Sequence, residues 1–474
     1  MVDTSTLESV HPTATINATA ISADDIFQVI ATDAPPAQIS SRADHPVPRL
    51  GIQQQQRRLQ TNKFYANLFL GDQTEALWTH PYSLAWSGGG GQTDSYGMAI
   101  SHVERNQIPG GPADSSDRAE WGFFAAPLGI QSVVLSAAEL GPGTTLTTDS
   151  LEAFSVNANL IAPGGSMPLV TFPLVQGMAF TTATYNFATP LIQTGLGFTN
   201  LTYVGSIQNG ATFKYRVQLT GGGTWLFYVT PGSSAYSQNS FTLLSPVAIQ
   251  GPSGFGGQIQ VAKVPAGTAD DIEDIYDAAA GVWATGATIA GSVQGTTGEY
   301  TISWAKSGSV DSKLLMFALP HHAESLADTT ADSLTGLQLM TTTKGMATAV
   351  HADTWVLTEP DLPVTMGFNP WSPTQGDIST LPQTAIEAIN VAADAELRES
   401  VANQSNVGSM YYDGKALAKF AAIVFVLHDL ADNVTLALTG LQELEKAFAS
   451  HVDNLQSFPL VYDTQWGGAV SIST

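Results

Sequence analysis

The chain has 474 residues, of which 43% are hydrophobic and only 12% are charged. This length exceeds that of one ordinary core, and typical domain sizes predict about two to four folded units. The 41 acidic and 17 basic residues give a net charge of −24, which would repel a phosphate backbone and opposes the counterion release that drives nucleic-acid binding. Nucleic acid is therefore not expected as a partner.

The chain contains no cysteine, which excludes disulfides, thiolate metal sites and cysteine nucleophiles. Residues 1–20 have neither the basic start nor the apolar core of a signal peptide, and no apolar run reaches the about 18 residues that a membrane-spanning helix needs. We therefore expect no membrane partner. The compartment cannot be inferred from these residues.

Residues 1–45 are rich in Ser, Thr, Ala and Pro, which predicts an extended lead-in on the surface. Over residues 46–268, short apolar runs are separated by Gly or Pro, as is typical of strands joined by turns. Many strands without intervening helices predict that this region is an N-terminal antiparallel β-sandwich.

The clearest strand pattern is an alternation of apolar and polar side chains over residues 213–219. Lys214 and Arg216 would then lie on the solvent face of a half-buried strand, opposite the apolar side chains. Gly221, Gly222 and Gly223 supply a permissive turn before the next apolar run, residues 225–229. The two runs are predicted to pair as a hairpin.

An acidic, helix-compatible segment at residues 270–277 interrupts the strand pattern. Strand signals resume at residues 300–304 and 314–319, and the second run is suited to burial on both faces. Residues 269–378 are therefore predicted to form a small α/β connecting domain, which ends at a cluster of prolines between Pro360 and Pro373.

After Pro382 the apolar period becomes helical. A first helix has its stripe at Ile386, Ile389, Ala393 and Leu397, and a third at Leu441, Leu444, Phe448 and Val452. Between them, residues 415–430 are apolar nearly all round, which predicts a helix buried among others. Three helices cannot enclose the central one, so residues 379–474 are predicted to form only part of a helical domain.

Glycine-rich segments offer little evidence for a nucleotide site. Residues 87–91 read Ser-Gly-Gly-Gly-Gly, but no Gly-Lys-Ser/Thr follows, and residues 254–257 do not have dinucleotide-binding spacing. A flexible loop is favoured for both. No Gly-x-Ser-x-Gly elbow supports a serine hydrolase.

The adjacent His321 and His322 lack a third ligand at metal-binding spacing, so a structural or substrate-lining role is favoured over a metal site. The acidic segment 270–277 could contain glycosidase carboxylates. We favour a solvated helix face, because acids massed in one short segment usually face water and catalytic carboxyls must be held apart across a cleft.

Five aromatic residues are predicted to lie in loops that flank the helices: Trp371, Tyr411, Tyr412, Tyr462 and Trp466. Such rings can stack on the apolar faces of sugars. From the residues alone, core packing and glucan contact are equally good interpretations of each ring.

Residues 461–468 read Val-Tyr-Asp-Thr-Gln-Trp-Gly-Gly after a helical hairpin. This segment resembles glycoside hydrolase family 81, the endo-β-1,3-glucanases. Further segments resemble landmarks of that family and occur in the same order: residues 62–68, 78–82, 173–178, 317–322 and 342–346. Together they extend the resemblance from about residue 45 to about residue 470.

The resemblance implies a β-sandwich, a small α/β domain and an (α/α)₆ barrel, of which this chain would contain the first helices. It also implies cleavage of internal β-1,3-glucosidic bonds with inversion, without a cofactor or metal. The enzyme would be a monomer, its partner would be β-1,3-glucan, and its setting would be extracellular or the cell wall. Tyr462, Asp463 and Trp466 would bind substrate in the cleft, and Gly467 and Gly468 would let the backbone turn.

The family's Asn-Asp-His-His segment, with the expected general acid, and its Glu-x-x-Ser-Glu segment, with the expected general base, have no counterpart in these 474 residues. No catalytic residue is therefore assigned. We expect the amino-terminal part of an endo-β-1,3-glucanase that is inactive by itself. The alternative is a non-catalytic β-glucan-binding or scaffold protein.

Overall fold

The computed structural model describes residues 40–41, 50–52, 63–71, 73, 75–89, 94–102, 132–221, 223–232, 236–268, 271–309, 311–362, 381–452, 455, 460–463 and 468–471. The strands in chain order are β1 (Ser40–Ser41), β2 (Leu77–Trp78), β3 (Ser83–Trp86), β4 (Gly97–Ser101), β5 (Ser132–Ala137), β6 (Thr145–Asp149), β7 (Ser155–Ile161), β8 (Val170–Val175), β9 (Thr181–Ala188), β10 (Pro190–Gln193), β11 (Phe198–Ile207), β12 (Thr212–Leu219), β13 (Thr224–Pro231), β14 (Thr242–Ser245), β15 (Ala248–Gln250), β16 (Phe255–Lys263), β17 (Val282–Gln294), β18 (Thr297–Gly308), β19 (Leu315–Ala318), β20 (Leu334–Met340), β21 (Met346–His351), β22 (Thr354–Glu359), β23 (Leu460–Asp463) and β24 (Gly468–Ser471).

The α-helices are α1 (Asp271–Ala279), α2 (Pro320–Ser325), α3 (Asp328–Ala331), α4 (Gln383–Leu397), α5 (Val401–Gln404), α6 (Met410–Asp429) and α7 (Val434–Val452). Strands therefore dominate the first three quarters of the chain, and the longer helices follow Pro382. This change of structure lies where the apolar period changes from two to 3.6 residues.

Two large antiparallel sheets contain most of the strands. The seven-stranded sheet has the order β14-β15-β10-β5-β4-β3-β2, and the eight-stranded sheet has the order β11-β12-β13-β16-β9-β8-β7-β6. Three smaller sheets have the orders β17-β18-β22, β19-β21-β20 and β1-β23-β24.

The two large sheets share one hydrophobic core, which contains Leu84 of the first sheet and Phe172 of the second. A hydrogen bond also links them, since Tyr185 Oη on β9 donates to the Ser136 carbonyl oxygen on β5 at 3.1 Å. The same core continues into the connecting region through Tyr276 and Trp355. The regions on either side of residue 268 are therefore packed together.

The predicted hairpin is confirmed, because β12 and β13 pair antiparallel with Tyr215 opposite Phe227. The expected solvent face is wrong for Lys214, which is only 4% exposed. The acidic helix α1 covers this part of the sheet. Period two places Lys214 and Arg216 on one face of β12, where acidic side chains of α1 meet them.

Helix α1 corrects the expectation of a wholly solvated acidic segment. Asp271 and Asp274 are exposed, as predicted, but Glu273 is only 6% exposed. Glu273 binds Lys214 at 2.9 Å and Arg216 at 2.7 Å. These side chains, together with Asp277, which binds Lys214 at 2.9 Å and accepts a hydrogen bond from Tyr228 Oη at 2.6 Å, form the α1 ion network.

The strand predicted at residues 300–304 is confirmed as part of β18, and the strand predicted at residues 314–319 is confirmed over Leu315–Ala318, which form β19. All four residues of β19 are buried, in agreement with a strand covered on both faces. The connecting region adds α1 to α3 and two antiparallel sheets, so it mixes both element types. Most of the proline cluster after residue 362 lies outside the described residues.

Helix α4 begins at Gln383, directly after Pro382, and its predicted stripe packs in a second hydrophobic core. Proline is favourable at this boundary because it lacks a backbone N–H, and an N–H at the start of a helix has no acceptor within the helix. In contrast, α6 is not buried all round. Among the described residues it buries Leu417, Phe420 and Leu427, whereas Ala421 and Ala422 on other faces are exposed.

The predicted stripe of α7 is displaced. Leu444 is buried, but Leu441 and Phe448 are 50% and 49% exposed, and the Val452 side chain lies outside the described residues. The buried stripe instead contains Ala437, Gly440, Leu444 and Ala447. A Cβ on Gly440 would lie 2.6 Å from Val424 Cγ2 of α6. Small residues therefore allow the two helices to approach closely, and this approach decides which face of α7 is buried.

Segments that carry the family resemblance meet at one place, here called the junction and defined by Thr79, Gly177, Phe317 and Gly345. Gly177 N donates to Thr79 O at 2.6 Å, and Phe317 N donates to Gly177 O at 2.6 Å. A Cβ on Gly345 would lie 3.1 Å from Pro320 Cγ. Landmarks that are far apart in sequence thus join the large sheets to the connecting region.

Gly177→Ala is expected to lower the free energy of unfolding by about 2–4 kcal/mol, through left-handed backbone strain and overpacking. Gly177 has a φ of +81°, and a Cβ there would lie 3.0 Å from Phe317 O. Equilibrium urea unfolding measures the change. Gly254 is the matched control, because its φ is +67° and nothing lies within 4 Å of its Cβ position. Equal losses for both variants would contradict tight packing at the junction.

Candidate active site

The segment with the strongest family resemblance forms a β-hairpin. Strands β23 and β24 pair antiparallel, with Asp463 opposite Gly468. Gly468 is the first residue of β24 and therefore lies in a strand and not in the expected turn. Tyr462 lies in β23 and not in a loop, which corrects that expectation. Trp466, Gly467 and Trp371 lie outside the described residues.

Strand β23 is the central strand of its sheet. It pairs with β24 on one side and, in parallel, with β1 on the other, where Ser41 is opposite Tyr462. The backbone at Val461 and Tyr462 is thus paired along both edges, and Asp463 is paired with β24 alone. No sequence pattern predicted this sheet, because β1 is a two-residue strand in a segment rich in small polar residues.

Two of the candidate aromatic residues lie in the first turn of α6 and not in a loop. Tyr411 and Tyr412 are 75% and 57% exposed, and their ring centroids are 5.3 Å apart with an interplanar angle of 85°. Core packing is therefore excluded for both side chains within the described fold. Their exposed rings are available to stack on a sugar.

A carboxylate that the sequence analysis missed follows this tyrosine pair. Asp413 is 1% exposed, and its Oδ1 accepts a hydrogen bond from Val407 N at 2.8 Å. Its Oδ2 has no hydrogen-bond partner among the described residues. The sequence offered no signal, because one aspartate in the first turn of a helix usually faces water and stabilises the helix dipole.

His321 and His322 occupy the first turn of α2, directly after β19 and Pro320. Burial, and secondarily the neighbouring His321, lower the pKa of His322 to about 4. The His322 imidazole is therefore neutral near pH 7, and its centroid lies 6.3 Å from that of Trp355. These contacts agree with a structural role for His322.

The described residues do not bring together the charged groups needed for other kinds of site. Across them, no cluster of three or more His, Asp or Glu side chains could hold a metal ion. Glu273 and Asp277 are occupied by the α1 ion network, so they do not form a pair of carboxylates across a cleft. In the same part of the chain, no helix has both the length and the hydropathy to cross a membrane.

Both domains of one protein family match this chain. The sequence profile of the glycosyl hydrolase family 81 N-terminal domain matches residues 45–373, and that of the family's C-terminal domain matches residues 380–474. The chain belongs to glycoside hydrolase family 81. The expectation that it holds only the amino-terminal part of this family is not supported, because residues 380–474 match the C-terminal domain.

Curated proteins that are similar to this chain are named as glucan endo-1,3-beta-D-glucosidases. The chain is 44% identical over 461 residues to a glucan endo-1,3-beta-D-glucosidase of Arthroderma benhamiae, covering 95% of this chain and 49% of that protein. It is 31% identical over 452 residues to the primary septum glucan endo-1,3-beta-D-glucosidase of Schizosaccharomyces pombe, covering 95% of this chain and 42% of that protein. The chain spans about half the length of the curated relatives it matches.

A solved family 81 glycoside hydrolase from Clostridium thermocellum has a similar fold. The TM-score is 0.57 at 13% sequence identity, and the match covers 92% of this chain and 55% of the other. This likeness supports the fold of the described strands and helices across most of the chain.

Proposed function

We propose that this family 81 chain forms part of an endo-β-1,3-glucanase, which cleaves internal β-1,3-glucosidic bonds with inversion. The observation that carries the proposal is the match of both family domains, together with 44% identity to a protein named glucan endo-1,3-beta-D-glucosidase. The partner would be β-1,3-glucan such as laminarin or cell-wall glucan. We propose that the chain works as a monomer without a cofactor.

The proposed architecture has three parts after an extended lead-in of residues 1–45. Residues 46–268 would form a β-sandwich, residues 269–378 an α/β connecting domain, and residues 379–474 part of an (α/α)₆ barrel. Two large antiparallel sheets that share a core support the first part. Helices α4 to α7, which share a separate core, support the last.

We propose that Tyr462, Asp463 and Trp466 bind glucan at the rim of a cleft. Trp466 would stack on a sugar ring, and Asp463 would accept hydrogen bonds from sugar hydroxyls. The support is the family resemblance of residues 461–468 and the hairpin that brings Asp463 opposite Gly468. The exposed Tyr411 and Tyr412 would add a second aromatic contact.

Trp466→Ala is expected to weaken laminarin binding about tenfold, because loss of ring stacking removes roughly 1–1.5 kcal/mol. Isothermal titration of the 474-residue chain with laminarin measures this change without requiring turnover. Trp466→Phe keeps an aromatic face and should stay within about threefold of the parent chain. Unchanged affinity in the alanine variant would remove Trp466 from the site.

A second candidate function is that of a non-catalytic glucan-binding or scaffold protein. The observation that favours it is the exposed pair Tyr411 and Tyr412, since such rings can stack on a sugar without any turnover. Both functions predict glucan binding, and they differ in whether any form of the chain turns substrate over. We propose that these 474 residues alone do not hydrolyse glucan.

A further inference from the structure

The N-terminal segment contributes a strand to the sheet that carries the proposed glucan-binding residues. Strand β1 pairs in parallel with β23, with Ser40 opposite Val461 and Ser41 opposite Tyr462. The sheet order is β1-β23-β24. Residues that were predicted to be a surface lead-in therefore form one edge of this sheet.

Without β1, strand β23 would lie at the edge of a two-stranded hairpin. An isolated two-stranded hairpin is at best marginally stable in water, and a third strand is usually needed for stability. An edge strand also exposes a row of unpaired backbone N–H and C=O groups. Pairing with β1 satisfies that row alongside Val461 and Tyr462, so β1 restrains the backbone of the candidate site.

The pairing depends on the fold of the whole chain. Parallel strands cannot be joined by a tight turn and need a crossover connection, and here the connection contains nearly all of the described sheets and helices. The pairing of β1 with β23 therefore joins segments near opposite ends of the chain. The hairpin acquires its third strand as a result of tertiary structure and not of local sequence.

We propose that β1 is a positioning element of the glucan site, which holds the backbone of Val461 and Tyr462, directly before Asp463, in the arrangement that binds a β-1,3-glucan chain. This inference rests on the proposed function of these residues. It assigns a role in binding to a segment that has no resemblance to a sugar-binding motif. The role uses backbone hydrogen bonds, and the serine side chains are not required.

Two single substitutions test the proposal in the full 474-residue chain. Backbone N–H groups alternate in direction along a strand, so of Ser40 and Ser41 in edge strand β1, one directs its N–H toward β23 and the other away. Proline removes the N–H and is tolerated only where that group faces solvent. Of Ser40→Pro and Ser41→Pro, one should therefore break the pairing while the other serves as its matched control.

The expected result has two readouts. In the disruptive variant, hydrogen exchange of the amides of residues 461–463 should accelerate by more than about tenfold, since local opening of β23 then no longer has to break its pairing with β1. The Kd for laminarin should rise at least about fivefold. The other proline variant, and a double Ser40→Ala/Ser41→Ala variant, should keep both values within about twofold of the parent. Far-UV circular dichroism verifies that every variant is folded.

Failure of this inference differs from failure of the proposed function. If neither proline variant changes exchange at residues 461–463, or if exchange accelerates while laminarin affinity is unchanged, the positioning role of β1 is overturned. If the unsubstituted chain does not bind laminarin at all, the proposed function of the site fails, whatever the exchange data show.

Discussion

The 474-residue chain is expected to release no measurable reducing sugar from laminarin. Inverting hydrolysis requires one carboxylic acid to protonate the leaving oxygen and a second carboxylate, about 6.5–9.5 Å away, to activate water on the opposite face of the sugar. The segments expected to supply them in family 81 do not occur in these residues. The carboxylates of the α1 ion network cannot replace them, because they bind Lys214 and Arg216.

A chimera supplies the positive control for this prediction. The chain covers 49% of the Arthroderma benhamiae relative, so any segment of that protein that follows its matched region can be joined after Thr474. The chimera should hydrolyse laminarin and yield the α-anomer in early NMR spectra, as inversion requires. Hydrolysis by the 474-residue chain alone, abolished by an internal Asp or Glu substitution, would refute the prediction. An inert chimera that still binds laminarin would favour the scaffold function.

Lys214→Ala is expected to destabilise the chain by about 3–5 kcal/mol, the usual cost of leaving the partner of a buried ion pair without its counter-charge. The Lys214 and Glu273 side chains are 6% and 7% exposed and lie 2.9 Å apart. After the substitution, Glu273 would keep only Arg216, whose side chain is 42% exposed. Urea unfolding followed by tryptophan fluorescence measures the loss.

The matched control is a lysine in a solvated pair. Lys446 binds Glu443 at 2.5 Å, with side chains that are 68% and 35% exposed. Lys446→Ala should cost at most about 0.5 kcal/mol, because water and salt screen such a pair. If the two alanine variants lose similar stability, α1 is not held on the sheet by its buried charges.

Periodicity explains which elements could be predicted from the sequence. Alternation along residues 213–219 predicted β12, and the spacing of Ile386, Ile389, Ala393 and Leu397 predicted α4. These patterns worked because each element buries one face against a core. The burial of Lys214 could have been inferred by combining the strand period with the helix period. Lys214 and Arg216 share one face of a strand. Glu273 and Asp277, at i and i+4, share one face of a helix with the opposite charge.

Other features depend on tertiary contacts that no local pattern encodes. The buried stripe of α7 follows from the close approach of Gly440 to Val424 on α6, and it differs from the stripe of the largest apolar side chains. The pairing of Ser41 with Tyr462 joins segments at opposite ends of the chain. For the candidate site, the resemblance of residues 461–468 supplied the residues, but it could not supply their sheet.

The continuity of the main core has a consequence for how the molecule melts. Buried side chains from Ile52 to Leu357 belong to one hydrophobic cluster, and those from Ala393 to Ala447 belong to another. Cooperative unfolding follows shared cores, since elements that bury surface against one another lose that burial together. An architectural boundary near residue 268 can therefore lie inside a single calorimetric unit, and the helices after Pro382 form a second unit whose heat-absorption peak can be separate.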